Sequence, residues 1–145
     1  MRLERTVEID SPPEVVWAVY SDVERWPEWT PSVISVERLD AGPLGAGSRA
    51  RIRQPGVPAA VWRVTSFEPG RFWAWEAAAP GYRMVGEHRV RPRPEGGAEA
   101  PMAVEAWGLL ARLLWWRIRG VSERYLAMEA AGLKRRCEAG APGAG

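Results

Sequence analysis

The sequence is poor in the residues that build disulfides and metal sites. Its 145 residues include one cysteine, Cys137, and one histidine, His88. A single cysteine excludes a disulfide within the chain and fits a reducing compartment. One histidine and one distant cysteine cannot supply the ligands of a zinc site. We therefore expect a protein with no metal and no other cofactor.

Long hydrophobic runs are also missing. The longest nearly apolar stretch, residues 107–116, is interrupted by Arg112 and falls far short of the roughly 20 residues that span a bilayer. The first ten residues alternate polar and apolar side chains and lack the apolar core of a secretory signal. These features predict a cytoplasmic protein with no membrane span.

No excess of one charge sign is present, since 20 basic residues face 18 acidic ones. This balance is not the footprint of a nucleic-acid-binding protein. No Gly-x-Ser-x-Gly elbow occurs, and the glycines at 42–47 lack the Gly-Lys-Ser/Thr of a phosphate-binding loop. The composition, 46% hydrophobic and 26% charged, is that of a globular domain. We expect one domain over residues 1–138 and a flexible tail of small residues at 139–145.

The spacing of apolar residues along the chain predicts an α+β fold. Residues 3–9 alternate as a strand does, and two short helices are expected after them, the second over residues 23–26. Six further strand-like segments follow, separated by Gly/Pro turns, and they predict an antiparallel sheet. From about 108 to 137 apolar residues recur every three or four positions, which predicts one amphipathic helix. The expected fold is therefore a seven-stranded curved antiparallel sheet around a long C-terminal helix.

Several segments also resemble a known family. They are the opening IDSPPEVVWAVYSDVERWPEWTPSV, the turn GAGSR at 45–49, the segment VTSFEPGR at 64–71 and the run GLKRR at 132–136. Together they resemble the polyketide cyclase/dehydratase branch of the START/Bet v 1-like (SRPBCC) superfamily over about residues 1–138. The resemblance implies a helix-grip fold. It implies no single function, because members of that superfamily include aromatase/cyclases, lipid and hormone binders and quinone-binding proteins.

Nine tryptophans are the compositional peculiarity of the chain. Each buries a large area and carries one N–H that needs a partner. They either fill the space between the sheet and the helix or line a pocket there. Strand alternation and helical spacing give the residues that we expect to contact a ligand in such a pocket. They are Trp26, Trp29, Trp62, Trp73, Trp75, Met84, His88, Met102, Leu110, Leu114, Ile118 and Tyr125.

His88 is the candidate catalytic residue, because its ordinary pKa lies near neutrality. It would act as a general acid/base or donate a hydrogen bond to a ligand carbonyl. The alternative is a buried histidine bonded to a neighbour. The carboxylates Glu76, Glu87 and Glu105 are expected on solvated faces, with no catalytic pair among them.

Three further features allow two interpretations each. The arginines at 49, 51 and 53 share one strand face, expected to be solvated, although a shift of one residue in the register would turn them inward. Trp26 and Trp29 are expected at the mouth of the grip, either as a lid or ligand-stacking wall, or as packing of the second short helix onto the sheet. Trp115 and Trp116 are adjacent, so one of them should be exposed and would suit a protein partner or a homodimer contact.

The function expected first is binding of a small hydrophobic molecule, aromatic or polycyclic, oriented by His88 and by Tyr82 or Tyr125. The second is a polyketide cyclase, aromatase or dehydratase, which would position a reactive chain in the same pocket. The third is a non-catalytic module that binds a protein partner, favoured if the tryptophans fill the grip.

Overall fold

The architecture is that of a sheet wrapped around one long helix. The computed structural model describes residues 1–139. Its helices are α1 (Pro13–Ser21), a 3₁₀ helix (Val23–Glu28), α2 (Leu109–Leu113) and α3 (Trp115–Ala139). Its strands are β1 (Arg2–Ile9), β2 (Ser35–Arg38), β3 (Arg49–Arg53), β4 (Ala60–Glu68), β5 (Phe72–Ala79), β6 (Tyr82–Arg89), β7 (Arg91–Pro92) and β8 (Ala98–Trp107).

The strands form one antiparallel sheet in the order β1-β8-β6-β5-β4-β3-β2, and the short β7 pairs with β8. The predicted α+β fold, with a curved antiparallel sheet and a C-terminal helix, is thus confirmed. The two-residue β7 adds an eighth strand to the seven that were predicted. A register shift between Val64 and Ser66 in β4 places a bulge there. Bulges bend a strand and increase its twist, which helps the sheet to curve.

The alternation of β3 decides where the arginine stripe lies. Ala50 and Ile52 are buried, whereas Arg49, Arg51 and Arg53 are exposed. The arginines are therefore on the outer, solvated face, and the inward register does not occur. Two of them contact carboxylates on that face, Arg49 with Asp40 at 3.2 Å and Arg51 with Glu37 at 3.5 Å.

The predicted single helix over 108–137 is interrupted at Leu114. Its φ and ψ of −102° and 12° leave the helical region, which separates the five-residue α2 from the 25-residue α3. The two helices cover different strands, since α2 packs on β6 and β8 whereas α3 packs mainly on β1 and α1. The break lets each helix follow a different part of the curved sheet.

The described residues end within α3. Ala139 belongs to the last turn of this helix. The rest of the predicted flexible tail, residues 140–145, lies outside the residues that the structure describes.

α3 approaches the backbone of the preceding fold closely at Gly132. A Cβ at this position would lie 1.9 Å from the carbonyl oxygen of Trp29. Because that atom belongs to the backbone, no side-chain rotation can relieve the clash. Gly132 therefore allows α3 to pack on the segment that follows the 3₁₀ helix.

We expect Gly132→Ala to lower the free energy of unfolding by about 3 kcal/mol or more, because the added methyl forces α3 away from Trp29. Chemical denaturation followed by circular dichroism measures this loss. Gly120→Ala on the same helix is the matched control. A Cβ there meets no atom within 4 Å, and removing a helical glycine should raise stability by about 0.5–1 kcal/mol. Equal effects of the two substitutions would contradict the packing argument.

Candidate functional site

A cavity of about 380 Å³ lies between the inner face of the sheet and the helices α2 and α3. Strands β3 to β6 and β8 supply one wall, and α2 and α3 supply the opposite wall. The exposed lining residues mark its rim, and they are Pro58, Ala59, Leu110, Leu114 and Arg117. The rim thus runs between the β3–β4 loop (residues 54–59) and the α2–α3 junction. The volume falls within the range of about 300–1,000 Å³ that is usual for small-molecule sites.

Ten of the twelve predicted ligand-contacting residues line this cavity. They come from the 3₁₀ helix, four strands and both C-terminal helices, so only the tertiary fold brings them together. They are Trp26, Trp62, Trp75, Met84, His88, Met102, Leu110, Leu114, Ile118 and Tyr125. Contact of these residues with a ligand stays a prediction.

The structure does not place Trp29 and Trp73 on the cavity wall. Trp73 is 0% exposed because the ring of His88 stacks on it, with centroids 3.8 Å apart. Trp29 is 5% exposed and lies beneath Gly132 of α3. Both residues therefore fill the interior behind the cavity.

Trp26 is part of the packed interior and of the cavity wall at once. It is 2% exposed, and its indole N–H donates to the carbonyl oxygen of Tyr20 at 3.1 Å. With Trp29 also buried, neither tryptophan of the pair at 26 and 29 forms an exposed lid. Both residues pack in the interior, and Trp26 also forms part of the cavity wall.

His88 lies inside a box of aromatic rings. Trp73 stacks on its imidazole, and Tyr20, Trp26 and Trp75 stand around it with centroids 5.1–5.7 Å away. The residue is 4% exposed. Burial among apolar rings disfavours the charged imidazolium. It lowers the pKa of His88 from 6.5 to about 3, against a smaller opposing effect of its hydrogen bond to the Trp73 carbonyl.

The tautomer of His88 follows from its one hydrogen-bond partner. Nδ1 lies 3.2 Å from the carbonyl oxygen of Trp73. A carbonyl can only accept, so we assign the hydrogen of the neutral ring to Nδ1. Nε2 then carries a lone pair and serves as an acceptor. This assignment reverses one expectation from the sequence, because His88 offers a ligand an acceptor rather than a donor.

Glu129 is a cavity residue that the sequence analysis missed. It lines the cavity from α3, and burial raises the pKa of its carboxyl from 4.5 to about 8. No hydrogen-bond partner for this carboxyl lies within residues 1–139. A pKa of about 8 favours the neutral carboxylic acid at neutral pH, which has one O–H to donate. Helical spacing could have predicted this position, because Val121, Tyr125 and Glu129 lie four residues apart on the face of α3 that lines the cavity.

The acidic residues that the sequence did single out have other roles. Glu87 and Glu105 contact Arg2, and Glu76 accepts a hydrogen bond from Arg83 at 2.8 Å. These contacts lie on the outer face of the sheet, as expected. Across residues 1–139, no group of three His, Cys, Asp or Glu side chains could hold a metal ion.

Two tyrosines occupy the positions expected of orienting groups, and both line the cavity. They are Tyr82 in β6 and Tyr125 in α3. The hydroxyl of Tyr125 donates to the carbonyl oxygen of Pro55 in the β3–β4 loop. This bond connects the two sides of the rim.

No helix in the described part of the chain is long and apolar enough to cross a membrane.

A curved antiparallel sheet that holds a long helix across an apolar cavity defines the helix-grip class of domain. The sequence matches, over residues 1–139, the family described as Polyketide cyclase / dehydrase and lipid transport. The chain belongs to this family. No curated protein matches the sequence.

Solved structures agree with this fold. The Zhui aromatase/cyclase from Streptomyces sp. R1128 aligns with a TM-score of 0.79 at 21% identity, covering 100% of this chain and 98% of that chain. A START superfamily protein from Mycobacterium smegmatis aligns with a TM-score of 0.72 at 14% identity, covering 93% and 97%. The Thermus thermophilus protein TTHA0849 gives 0.73 at 19% identity, covering 98% and 99%. At these identities the likeness establishes the fold and not the activity.

The half-buried acid at position 129 makes stability depend on pH. Folded Glu129 keeps its proton up to about pH 8, whereas the unfolded chain releases it near 4.5. Rising pH therefore favours unfolding between these values. His88 acts in the opposite direction only below 6.5, where the unfolded chain gains a proton that the folded protein does not take up.

We expect the free energy of unfolding to fall by about 2 kcal/mol between about pH 6.5 and 8, and this fall to disappear in Glu129→Gln. Denaturant titrations at a series of pH values measure it. Glu123→Gln, at an exposed carboxylate paired with Arg119, should keep the slope. A slope that persists in Glu129→Gln would show that Glu129 is ionised in the folded protein.

Proposed function

We propose that the domain binds a small, mainly apolar molecule that carries at least one hydroxyl or carbonyl group. The observation that supports this most is a largely apolar cavity with two neutral polar groups on its wall. His88 Nε2 accepts a hydrogen bond, and the protonated carboxyl of Glu129 donates one. Both groups are uncharged at neutral pH, so they suit a neutral ligand better than an ion.

The walls suit a flat or branched hydrocarbon skeleton. Trp62 and Trp75 present aromatic surface, with ring centroids 5.7 Å apart, and Met84 and Ile118 add aliphatic surface. Aromatic faces stack on planar ligands, and burial of apolar area contributes roughly 25 cal/mol per Å² before the costs of association. An aromatic or polycyclic ligand therefore fits the cavity best.

The cytoplasmic location stays a prediction from the sequence.

Filling the cavity tests this proposal. Met84→Trp places a bulky ring in the cavity, because Met84 lines it from β6. Val85→Trp is the matched control, since alternation directs this neighbour to the outer face, where its strand partners are Glu76 and Glu105. The fluorescent probe 1-aminoanthracene should bind the wild type and Val85→Trp alike. We expect Met84→Trp to weaken binding about tenfold or more, because the volume is taken.

A thermal-shift measurement with the same probe checks that binding occurs in the folded state. At a probe concentration of about 100 times Kd, the free energy of unfolding should rise by about 2.7 kcal/mol. Native mass spectrometry of the purified protein would reveal a co-purified ligand as extra mass that is lost on denaturation. Probe binding that Met84→Trp leaves unchanged would overturn the proposal, because the bound probe would then lie outside the cavity.

The second candidate function is a cyclase, aromatase or dehydratase acting on a polyketide-like chain. Family membership favours it, together with a proton donor on the helix wall of the cavity and a proton acceptor on the sheet wall. A dehydration, for example, needs a proton for the leaving hydroxyl, which Glu129 carries, and a group that accepts the proton lost from carbon. His88 supplies an acceptor that is weak, because its pKa is about 3.

Two isosteric substitutions separate the binder from the enzyme. Glu129→Gln and His88→Gln keep the cavity close to its size. In an enzyme, each should lower turnover of a polyketide-like substrate about 100-fold or more, with probe affinity changed far less. In a binding protein, the affinity for ligands with a hydroxyl or carbonyl changes and no turnover exists in the wild type. The third alternative, a non-catalytic module that binds a protein partner, would have been favoured by tryptophans that fill the grip, and the open cavity removes that support.

A further inference from the structure

The α2–α3 junction is apolar on both of its faces. Leu110, Ala111 and Ile118 face the cavity. On the opposite face Leu109, Leu113 and Trp116 are 70%, 65% and 75% exposed. A helical segment that is hydrophobic all round is normally buried in a protein core or a membrane. We call Leu109, Leu113 and Trp116 the outer apolar patch.

The charge around this patch is positive. Residues 107–124 contain four arginines (112, 117, 119 and 124) and one acidic residue, Glu123, which gives a net charge of +3, against +2 for the whole chain. Glu123 pairs with Arg119 at 3.0 Å. Within residues 1–139 the other three arginines contact no carboxylate.

Two of these arginines stand beside the exposed indole. Arg117 and Arg124 line an open surface depression together with Trp116, Pro55 and Gly120. Gly120 adds no side chain, and a Cβ there would meet nothing within 4 Å. Guanidinium groups bind phosphate oxygens with two parallel hydrogen bonds, and tryptophan prefers the headgroup level of a bilayer. The depression has room for a phosphate headgroup next to the indole.

We propose that the outer apolar patch and its arginines dock the domain on the surface of a bilayer that contains anionic lipids. Leucine and tryptophan side chains would enter the boundary between headgroups and acyl chains, and Arg112, Arg117 and Arg124 would contact the phosphates. Binding of this kind is peripheral and needs no spanning helix.

A second copy of the chain fits this surface less well. A two-fold contact places the same patch of each copy against the other. The unpaired arginines of one copy would then face those of the second, with no free carboxylate in residues 107–124 to compensate them. Positive charge around apolar side chains complements an anionic lipid surface instead.

The patch is continuous with the rim of the cavity. Leu110 and Leu114 line the cavity and are each 40% exposed beside the patch. If the cavity holds an apolar ligand, which rests on the proposed function, docking here would let that ligand pass between bilayer and cavity without crossing water. The docking itself does not depend on the ligand.

The test measures binding of the full chain to sedimented vesicles without any probe. Wild type should bind vesicles of phosphatidylcholine mixed with phosphatidylglycerol. Its binding to vesicles of pure phosphatidylcholine should be weaker, and high salt should weaken its binding to the mixed vesicles. Replacing the patch by Leu109→Ser, Leu113→Ser and Trp116→Ser should reduce partitioning about tenfold or more. Ile34→Ser with Val61→Ser is the control, since both residues are exposed and apolar but lie outside the junction.

The arginines are tested separately. Arg112→Gln with Arg124→Gln should lower binding to the mixed vesicles about tenfold or more and leave binding to pure phosphatidylcholine unchanged. Arg49→Gln with Arg51→Gln, on the outer face of the sheet, should have little effect. Retained circular dichroism and retained 1-aminoanthracene affinity show that the variants fold. That affinity is measured without vesicles, so failure of the proposed function is seen independently.

Three results would overturn the docking proposal. One is that wild type does not sediment with the mixed vesicles. Another is that the serine variant sediments as well as wild type. The third is a dimer in light scattering that the serine substitutions convert to monomer, which would show that a second copy covers the patch.

Discussion

The aromatic cluster around His88 closes one end of the grip and thereby determines where the other end stays open. Tyr20, Trp26, Trp73 and Trp75 surround the imidazole, with ring centroids 3.8–5.7 Å away. Rings of this size fill the interior that a single helix cannot reach across a strongly curved sheet. The remaining space lies towards the α2–α3 junction, and there the side chains are smaller and the cavity begins.

The same cluster determines the electrostatics of the cavity. Burial among apolar side chains disfavours the charged form of an ionisable group. Burial therefore lowers the pKa of His88 to about 3, which leaves its imidazole neutral. It raises the pKa of Glu129 to about 8, which favours the neutral carboxyl. These two groups are uncharged at neutral pH, and the charged Arg117 stands at the rim. A neutral oxygenated ligand and a proton-transfer substrate both match this property, and family membership is compatible with either.

The two ends of the cavity differ in the side chains that border them. The closed end is packed by aromatic rings and by the close approach of Gly132 to Trp29. The open end is bordered by exposed leucines, Trp116 and arginines, and a single bond from Tyr125 to Pro55 links its two sides. A rigid interior with a looser apolar rim suits a molecule that must enter and leave, because few buried contacts oppose opening there.

The sequence by itself determined the architecture and indicated most of the residues of the cavity wall, whereas the structure decided that the arginine stripe faces outward. Alternation and helical spacing are local, and they assign a face to residues such as Trp62, Met84 and Ile118 whatever their neighbours are. Tertiary structure decided what depends on residues distant in the chain. It placed Trp73 beneath His88, broke the long helix at Leu114 and buried Glu129 so that its pKa rose. Burial and hydrogen-bond partners depend on which elements pack together, and local spacing carries no record of that.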